Sequence, residues 1–184
     1  MPKRELSVLA SGYTYLEGLR WHDGRLWASD FYTGQVIAVD LQGRVEVICR
    51  VLQQPSGLGW LPDGRLLISS MKDRKLLRRE TDGTLSQHAD LSALTGGPIN
   101  DLVVDDQGRA YVGNFGFDLM AGEPFATTTL VRVDTDGVAQ VVADGLWFPN
   151  GSFITPDGKT LIVNETFGNR ISDCLLYTSD AADE

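Results

Sequence analysis

The chain has 184 residues, of which 42% are hydrophobic, and its formal net charge is −9 at pH 7. That composition is ordinary for a globular protein, and the length is sufficient for one sizeable core. The acidic balance argues against a nucleic-acid partner, which needs clustered Lys and Arg. The sequence has no apolar run that could span a bilayer and no visible secretory signal, so we expect a cytoplasmic protein without membrane contact.

Turn-forming dipeptides recur along the chain with a period of about 40 to 50 residues, which is the signature of a β-propeller. The dipeptides are Asp23-Gly24, Asp63-Gly64, Gln107-Gly108 and Asp157-Gly158. Short apolar segments of strand length flank each turn, and glycine supplies the positive φ that tight hairpins require. The first three repeats each contain four such segments. We therefore predict an all-β fold, a β-propeller with four-stranded blades.

A polar residue opens the first strand of every repeat. These residues are Glu17, Ser56, Asn100 and Asn150. Each is followed by Gly or Asp and then by an apolar strand. Because the first strands of propeller blades line a central channel, these four side chains are predicted to converge at one mouth of that channel.

The chemistry of these opening residues leaves two interpretations. A carboxylate such as Glu17 is costly to bury unless it is paired or bound to a metal. One carboxylate with neutral Asn oxygens suits a hard cation such as Ca²⁺, whereas no His or Cys converges to suit a softer metal. The alternative is a hydrogen-bonded polar plug with water in the channel. Asp101 is the nearest other acid, and we expect it to cap backbone groups at the start of its strand.

Other conspicuous side chains are predicted to be structural. Trp21 and Trp60 occupy the same repeat position and are expected in the core between blades. His22 and His88 do not share a register and are predicted to lie on the surface. Glu165, at the end of a strand, is also expected on the surface.

The third repeat carries an insertion, Gly116–Ala126, between its second and third strands. The insertion is apolar for a loop, so it either packs on a neighbouring blade or forms a lid over the channel mouth. The residues favour neither interpretation. Trp147 and Phe148, which precede Asn150, are candidates for the wall of a substrate pocket as well as for the core.

The repeat pattern breaks after Ile171. Residues 173–184 fit no repeat position, and a back-translation of this stretch resembles a sequencing-library adapter. We therefore predict a partial propeller over residues 1–172, followed by a non-native tail. The segment Glu5–Ser11 is predicted to be a strand that closes the last blade. An open propeller leaves unpaired strand edges, so we expect this chain to fold poorly if it is expressed as written.

Three groups of residues resemble the SMP-30/gluconolactonase/luciferin-regenerating-enzyme family. They are Tyr15-Leu16-Glu17-Gly18-Leu19-Arg20-Trp21, Ile99-Asn100-Asp101, and Phe148-Pro149-Asn150-Gly151 with the following Pro156–Leu161 and Asn164–Thr166. The resemblance covers roughly residues 5–172 and is specific because the three polar anchors occur in the family's order. It implies a six-bladed propeller, of which about four blades are present, and a metal-dependent lactonase.

The resemblance also implies roles for individual residues. Glu17 and Asn150 match the family's ligands for an axial divalent cation, usually calcium and sometimes zinc. Asn100 matches the asparagine that faces both the ion and the substrate. A further aspartate, which would serve as a metal ligand and as the catalytic base, is expected beyond Ile171. The catalytic residue therefore stays unassigned. Ser56 matches no family position and is a candidate for a supporting hydroxyl.

The implied reaction is hydrolysis of a small lactone or a sugar-acid lactone. The ion would polarise the carbonyl and activate a water, while a carboxylate removes the proton. One residue departs from the family pattern: sugar-lactone members carry a basic residue two positions before the asparagine, and this chain has Pro98. That departure weakens the case for gluconolactone. The alternative is a non-enzymatic binding or scaffold module whose axial ion is structural.

Overall fold

The computed structural model describes residues 5–176, which form fifteen β-strands and contain no helix. Consecutive strands pair antiparallel into four sheets, of which three have four strands and one has three. These sheets are the blades of a β-propeller, so the predicted all-β fold is confirmed. Among the described residues, no helix is available that could cross a bilayer.

Strand order within each blade follows chain order. The first blade contains β1 (Leu16–His22), β2 (Arg25–Asp30), β3 (Gln35–Val39) and β4 (Val45–Arg50). The second contains β5 (Pro55–Trp60), β6 (Leu66–Ser70), β7 (Lys75–Arg79) and β8 (Leu85–Asp90). The third contains β9 (Ile99–Val104), β10 (Ala110–Asn114), β11 (Thr128–Val133) and β12 (Ala139–Leu146). The fourth contains β13 (Pro149–Ile154), β14 (Thr160–Glu165) and β15 (Arg170–Leu175).

The first strand of each blade lies innermost, and β1, β5, β9 and β13 pack against one another in that order. Glycine allows their close approach. A Cβ atom at Gly57 of β5 would lie 2.5 Å from the backbone nitrogen of Leu102 in β9. Any other residue at position 57 would push the neighbouring strand away. The inner strands are therefore held tightly around the propeller axis.

An irregularity interrupts the pairing of every inner strand near its polar opening residue. The register shifts between Glu17 and Arg20 in the first blade and between Pro149 and Ser152 in the fourth. Equivalent shifts occur in the second and third blades. A β-bulge bends its strand and changes the direction of its side chains. At the channel mouth, the side chains of the opening residues therefore do not follow the alternating directions of a regular strand.

Hydrophobic clusters fill the interfaces between adjacent blades. Between the first and second blades the cluster includes Trp27, Val36, Leu58 and Ile68. Between the second and third it includes Leu67, Leu76, Leu102, Val112 and Val131. Between the third and fourth it includes Tyr111, Leu130, Leu161 and Val163. Because burial of apolar area drives folding, each blade depends on its neighbours for stability.

The two tryptophans that share a repeat position have different environments. Trp60 packs against Trp27, and the ring of His22 stacks on it at a centroid distance of 3.9 Å. Trp21 is 58% exposed, because no blade within residues 5–176 covers that face of the first blade. The prediction of an interblade core is therefore right for Trp60 and wrong for Trp21.

The segment Glu5–Ser11 forms no strand. It runs irregularly along the first blade, where Ala10 packs against the cluster formed by Ala28, Ile37 and Val39. Within the described residues, the segment pairs with no sheet edge. The role predicted for this segment, a strand that closes a last blade, stays a prediction, because the described residues contain no such blade.

Strand β15 continues past the predicted break at Ile171. It pairs with β14 along its whole length, from Arg170 opposite Glu165 to Leu175 opposite Thr160. Backbone pairing places few demands on side chains, so a sequence without the repeat pattern still completes the strand. The expectation that the repeat ends at Ile171 is therefore wrong, because the strand extends to Leu175. The non-native origin of residues 173–184 stays a prediction, and residues 177–184 lie outside the described part of the chain.

Candidate active site at the propeller axis

Three of the predicted site residues line one cavity at the axis. Glu17, Asn100 and Asn150 come from the inner strands of the first, third and fourth blades and share a cavity of about 310 Å³. Asn100 is buried, whereas Glu17 and Asn150 are half-buried. Residues far apart in the sequence thus place one carboxylate and two amides around a common space.

A chain of hydrogen bonds connects three of the polar opening residues. The hydroxyl of Ser56, which is fully buried, donates to Oδ1 of Asn100 at 2.8 Å. Nδ2 of Asn100 donates to Oδ1 of Asn150 at 2.8 Å, and Nδ2 of Asn150 donates to the hydroxyl of Thr166 at 3.1 Å. The chain fixes the orientation of both amides. Ser56 therefore contacts a predicted ligand directly, in the position of the supporting hydroxyl.

The carboxyl group of Glu17 is harder to ionise than an ordinary glutamate. Partial burial raises its pKa, and the nearby negative charge of Asp101 raises it further, while a hydrogen bond from the Gly18 backbone acts in the opposite direction. Both of the effects that raise the pKa disfavour an isolated negative charge at this position. A cation in the cavity would offset them.

An ion pair that was not predicted lies beside the site. Arg20 of β1 donates to Oδ1 of Asp101 at 2.7 Å and to the backbone oxygen of Leu102 at 2.6 Å. Asp101 is 7% exposed, and its burial raises its pKa although the Arg20 guanidinium opposes that shift. Asp101 is therefore one member of an interblade ion pair. It also accepts a hydrogen bond from the backbone of Leu102, so the prediction that it caps backbone groups is right but incomplete.

Aromatic and apolar side chains form the wall of the cavity. Phe31, Met71 and Phe115 each follow the second strand of their blade directly, and they pack in one cluster with Phe148. Thr166 holds the same repeat position in the fourth blade. Phe148 thus belongs to both the core and the pocket wall. The sequence carried a signal for these residues, because they occupy one repeat position.

The insertion Gly116–Ala126 both packs on a neighbouring blade and reaches the cavity. The ring of Phe125 lies 5.0 Å from that of Phe117 and 5.0 Å from that of Phe167 in the fourth blade. Leu119 and Met120, near the tip of the loop, line the axial cavity. The two interpretations of the sequence are therefore not exclusive.

Glu165 has a structural role at the entrance to the fourth inner strand. It is fully buried, so the prediction of a surface position is wrong. Its carboxylate accepts hydrogen bonds from the backbone nitrogen of Trp147 at 2.8 Å and from Nε of Arg170 at 2.7 Å. The chain that leads to Phe148 and Asn150 is thereby anchored.

The two histidines do not take part in the site. His88 is buried, and its burial together with the charge of Arg78 lowers its pKa. His22 is half-buried against Trp60. The prediction of surface positions is wrong for His88 and only partly right for His22. Neither ring lines the axial cavity.

The donor atoms at the axis fit a hard divalent cation. Within residues 5–176 no group of three or more His, Cys, Asp or Glu side chains could hold a metal. The axial cavity instead offers one carboxylate and two amide oxygens. Each amide oxygen accepts one hydrogen bond and keeps a second lone pair. Such a set suits an oxygen-seeking ion and not a soft one.

Fold and site together define a class: a β-propeller whose inner strands present oxygen donors to an axial cavity. The chain belongs to the SMP-30/Gluconolactonase/LRE-like family, whose model matches residues 16–182. The predicted family is therefore confirmed.

Named relatives agree with this assignment. The chain is 29% identical over 154 residues to the pentonolactonase XacC of Haloferax volcanii, a match that covers 82% of this chain and 49% of that protein. It thus spans about half the length of this curated relative.

Solved structures show the same fold. A gluconolactonase from Xanthomonas campestris matches with a TM-score of 0.77 at 24% identity, over 92% of this chain and 61% of that one. A calcium-binding regucalcin from Agrobacterium tumefaciens matches with a TM-score of 0.74 at 26% identity, over 91% of this chain and 56% of that one.

Proposed function

We propose that this protein hydrolyses a small lactone with the help of a divalent cation. We propose Ca²⁺ as the preferred ion and Zn²⁺ as the alternative. The observation that carries the proposal is the meeting of Glu17, Asn100 and Asn150 at one cavity. The naming of a relative as a pentonolactonase supports the reaction class, and the calcium-binding regucalcin supports the choice of ion. We further propose that the four blades belong to a six-bladed propeller.

In this proposal Glu17, Asn150 and Asn100 hold the cation. When bound, the cation supplies polarisation of the lactone carbonyl and a lowered pKa for water. Asn100 lies deepest, and its amide orients the substrate, because Ser56 and Asn150 fix it on both sides. Such fixed donors stabilise charge that develops on the carbonyl oxygen.

Hydrolysis breaks the ring ester bond, adds the water oxygen to the carbonyl carbon and releases a hydroxy acid. A carboxylate must take the proton from the water. Asp101 forms an ion pair with Arg20, and Glu17 is a proposed metal ligand. We therefore assign no catalytic base within residues 5–176. We propose that an aspartate from a later blade serves as the base and as a further ligand.

The second candidate is a non-enzymatic binding module with a structural ion. The hydrogen-bond chain from Ser56 to Thr166 favours it, because that chain satisfies the amides without any substrate. In this case the cation would raise thermal stability but no lactone would be hydrolysed.

Lactone hydrolysis by the product of the complete gene tests the proposal. We expect activity with Ca²⁺ that EDTA abolishes and that added Ca²⁺ restores. Glu17→Gln keeps the size of the side chain but removes its charge, so it should reduce activity at least about a hundredfold. Glu46→Gln, on an outer strand with a side chain 63% exposed, is the matched control and should leave activity unchanged. Activity that survives both EDTA and Glu17→Gln would refute the metal site.

A further inference from the structure

A second lobe opens beside the axial cavity. It has a volume of about 240 Å³ and shares Phe31, Met71, Phe115 and Met120 with the axial cavity. The two lobes are therefore adjacent, and the passage between them is lined by the side chains that they share, all of which are apolar. Pro98 also lines the second lobe.

The apolar character of this passage follows from the repeat. Phe31, Met71 and Phe115 directly follow the second strands of three successive blades, so the fold places them side by side. All three are less than 10% exposed and pack with Phe148 in one cluster. Their side chains offer no hydrogen-bond donor or acceptor apart from the weak Met sulfur. A sugar ring in this passage would leave its hydroxyls unpaired, which costs more than the loss of a contact.

Three polar residues line the second lobe but not the axial cavity. They are Gln54, Lys72 and Asp118. Lys72 is exposed to solvent. The carboxylate of Asp118 accepts hydrogen bonds from the backbone nitrogens of Met120 and Ala121, both at 3.0 Å. Asp118 thus holds the tip of the loop and positions Met120 between the lobes.

We propose that the second lobe binds an apolar substituent of the substrate, so that the substrate class is alkyl- or aryl-substituted lactones and not polyhydroxylated sugar lactones. This inference rests on the proposed lactonase function. The lactone ring lies over Asn100 in the axial cavity, and its substituent extends past Phe31 and Phe115 towards Pro98. Removal of that substituent from water provides the binding energy.

Three six-membered lactones with the same reacting ester test the inference. δ-Valerolactone carries no substituent, δ-decalactone carries an alkyl chain, and glucono-1,5-lactone carries hydroxyls. We expect kcat/KM for δ-decalactone to exceed that for each of the other two by about tenfold or more. A preference for glucono-1,5-lactone, or no gain from the alkyl chain, overturns the inference and leaves the lactonase function standing. If none of the three is hydrolysed in the presence of Ca²⁺, both proposals fail.

A variant at the loop tip separates the second lobe from general effects. Met120 is 68% exposed, so Met120→Gln should not impair folding. We expect it to lower the ratio of kcat/KM for δ-decalactone to that for δ-valerolactone about three- to tenfold. Leu41→Gln is the matched control, because Leu41 is 66% exposed in the turn between β3 and β4 at the opposite end of the first blade. An unchanged ratio in Met120→Gln, or an equal fall in both variants, contradicts the inference.

Discussion

Arg20 of the first blade donates a hydrogen bond to the carboxylate of Asp101 in the third blade at 2.7 Å. Each residue is an exception among the repeats. At the position of Arg20, the other three inner strands have Gly59, Val103 and Phe153. At the position of Asp101, the remaining inner strands have Gly18, Gly57 and Gly151. The charges of these two residues therefore neutralise each other between the first and third blades, directly beside the proposed metal ligands.

Loss of one partner from this pair should destabilise the protein. Arg20→Met leaves the carboxylate of Asp101 buried without its partner, and we expect the free energy of unfolding to fall by about 3 kcal/mol. The double variant Arg20→Met/Asp101→Asn should recover most of the loss, because no buried charge remains. Urea unfolding of the four proteins of the double-mutant cycle measures both effects. A loss below about 0.5 kcal/mol in Arg20→Met would show that the pair is solvated.

Removal of the Ser56 hydroxyl should lower stability and activity more than removal of the Ser69 hydroxyl, which is equally buried. Ser56→Ala removes the donor to Asn100, so we expect a loss of about 1 kcal/mol in stability and a clear fall in lactone hydrolysis. Ser69→Ala is the matched control in the same blade. Ser69 is also fully buried, but its hydroxyl has no hydrogen-bond partner among the described residues. Its removal should leave stability unchanged or slightly increased. Equal effects of the two changes would contradict the hydrogen-bond chain.

The close packing of the inner strands predicts unequal effects at two equivalent glycines. Gly57→Ala places a Cβ atom 2.5 Å from the backbone of Leu102, and we expect a loss of about 3 kcal/mol. Gly151 occupies the same repeat position, but the nearest atom to its Cβ would be a carboxylate oxygen of Asp101 at 4.0 Å. Gly151→Ala should therefore be tolerated. Thermal unfolding of both variants makes the comparison, and a stable Gly57→Ala protein would disprove the close approach.

The buried carboxylate of Glu165 predicts a dependence of stability on pH. Burial alone would raise its pKa, but hydrogen bonds from Arg170, Ser172 and the Trp147 backbone outweigh burial and lower the pKa below the ordinary value of 4.5. A lowered folded-state pKa means that ionised Glu165 stabilises the fold above about pH 4.5. This contribution is lost as the pH falls through the lowered pKa.

Glu165→Gln tests this effect. We expect the variant to be less stable than the wild type by about 2 kcal/mol at pH 7, and the difference should shrink as the pH falls below 4.5. Glu46→Gln, whose side chain is 63% exposed, should change stability little at either pH. Melting temperatures at pH 7 and pH 3 give the comparison. A difference for Glu165→Gln that stays constant with pH would exclude this linkage.

The repeat pattern alone was sufficient to predict the blades, because hairpin turns and strands of alternating polarity are local properties of the chain. It also placed Glu17, Asn100 and Asn150 at one end of the inner strands. The pattern could not predict that Trp21 is exposed while Trp60 is buried, since the difference depends on which faces are covered by a blade. Likewise, the burial of Glu165 depends on the backbone of Trp147, which lies far from it in the sequence.

The sequence by itself determined the all-β architecture and the polar residues that meet at the axis, since both follow from a repeated local pattern. Only the tertiary structure decided the partners of those residues. The ion pair of Arg20 with Asp101, the hydrogen bond of Ser56 to Asn100 and the apolar passage beside Phe115 each join different blades. Such contacts depend on the distances between strands after packing, and no local property of the chain specifies those distances.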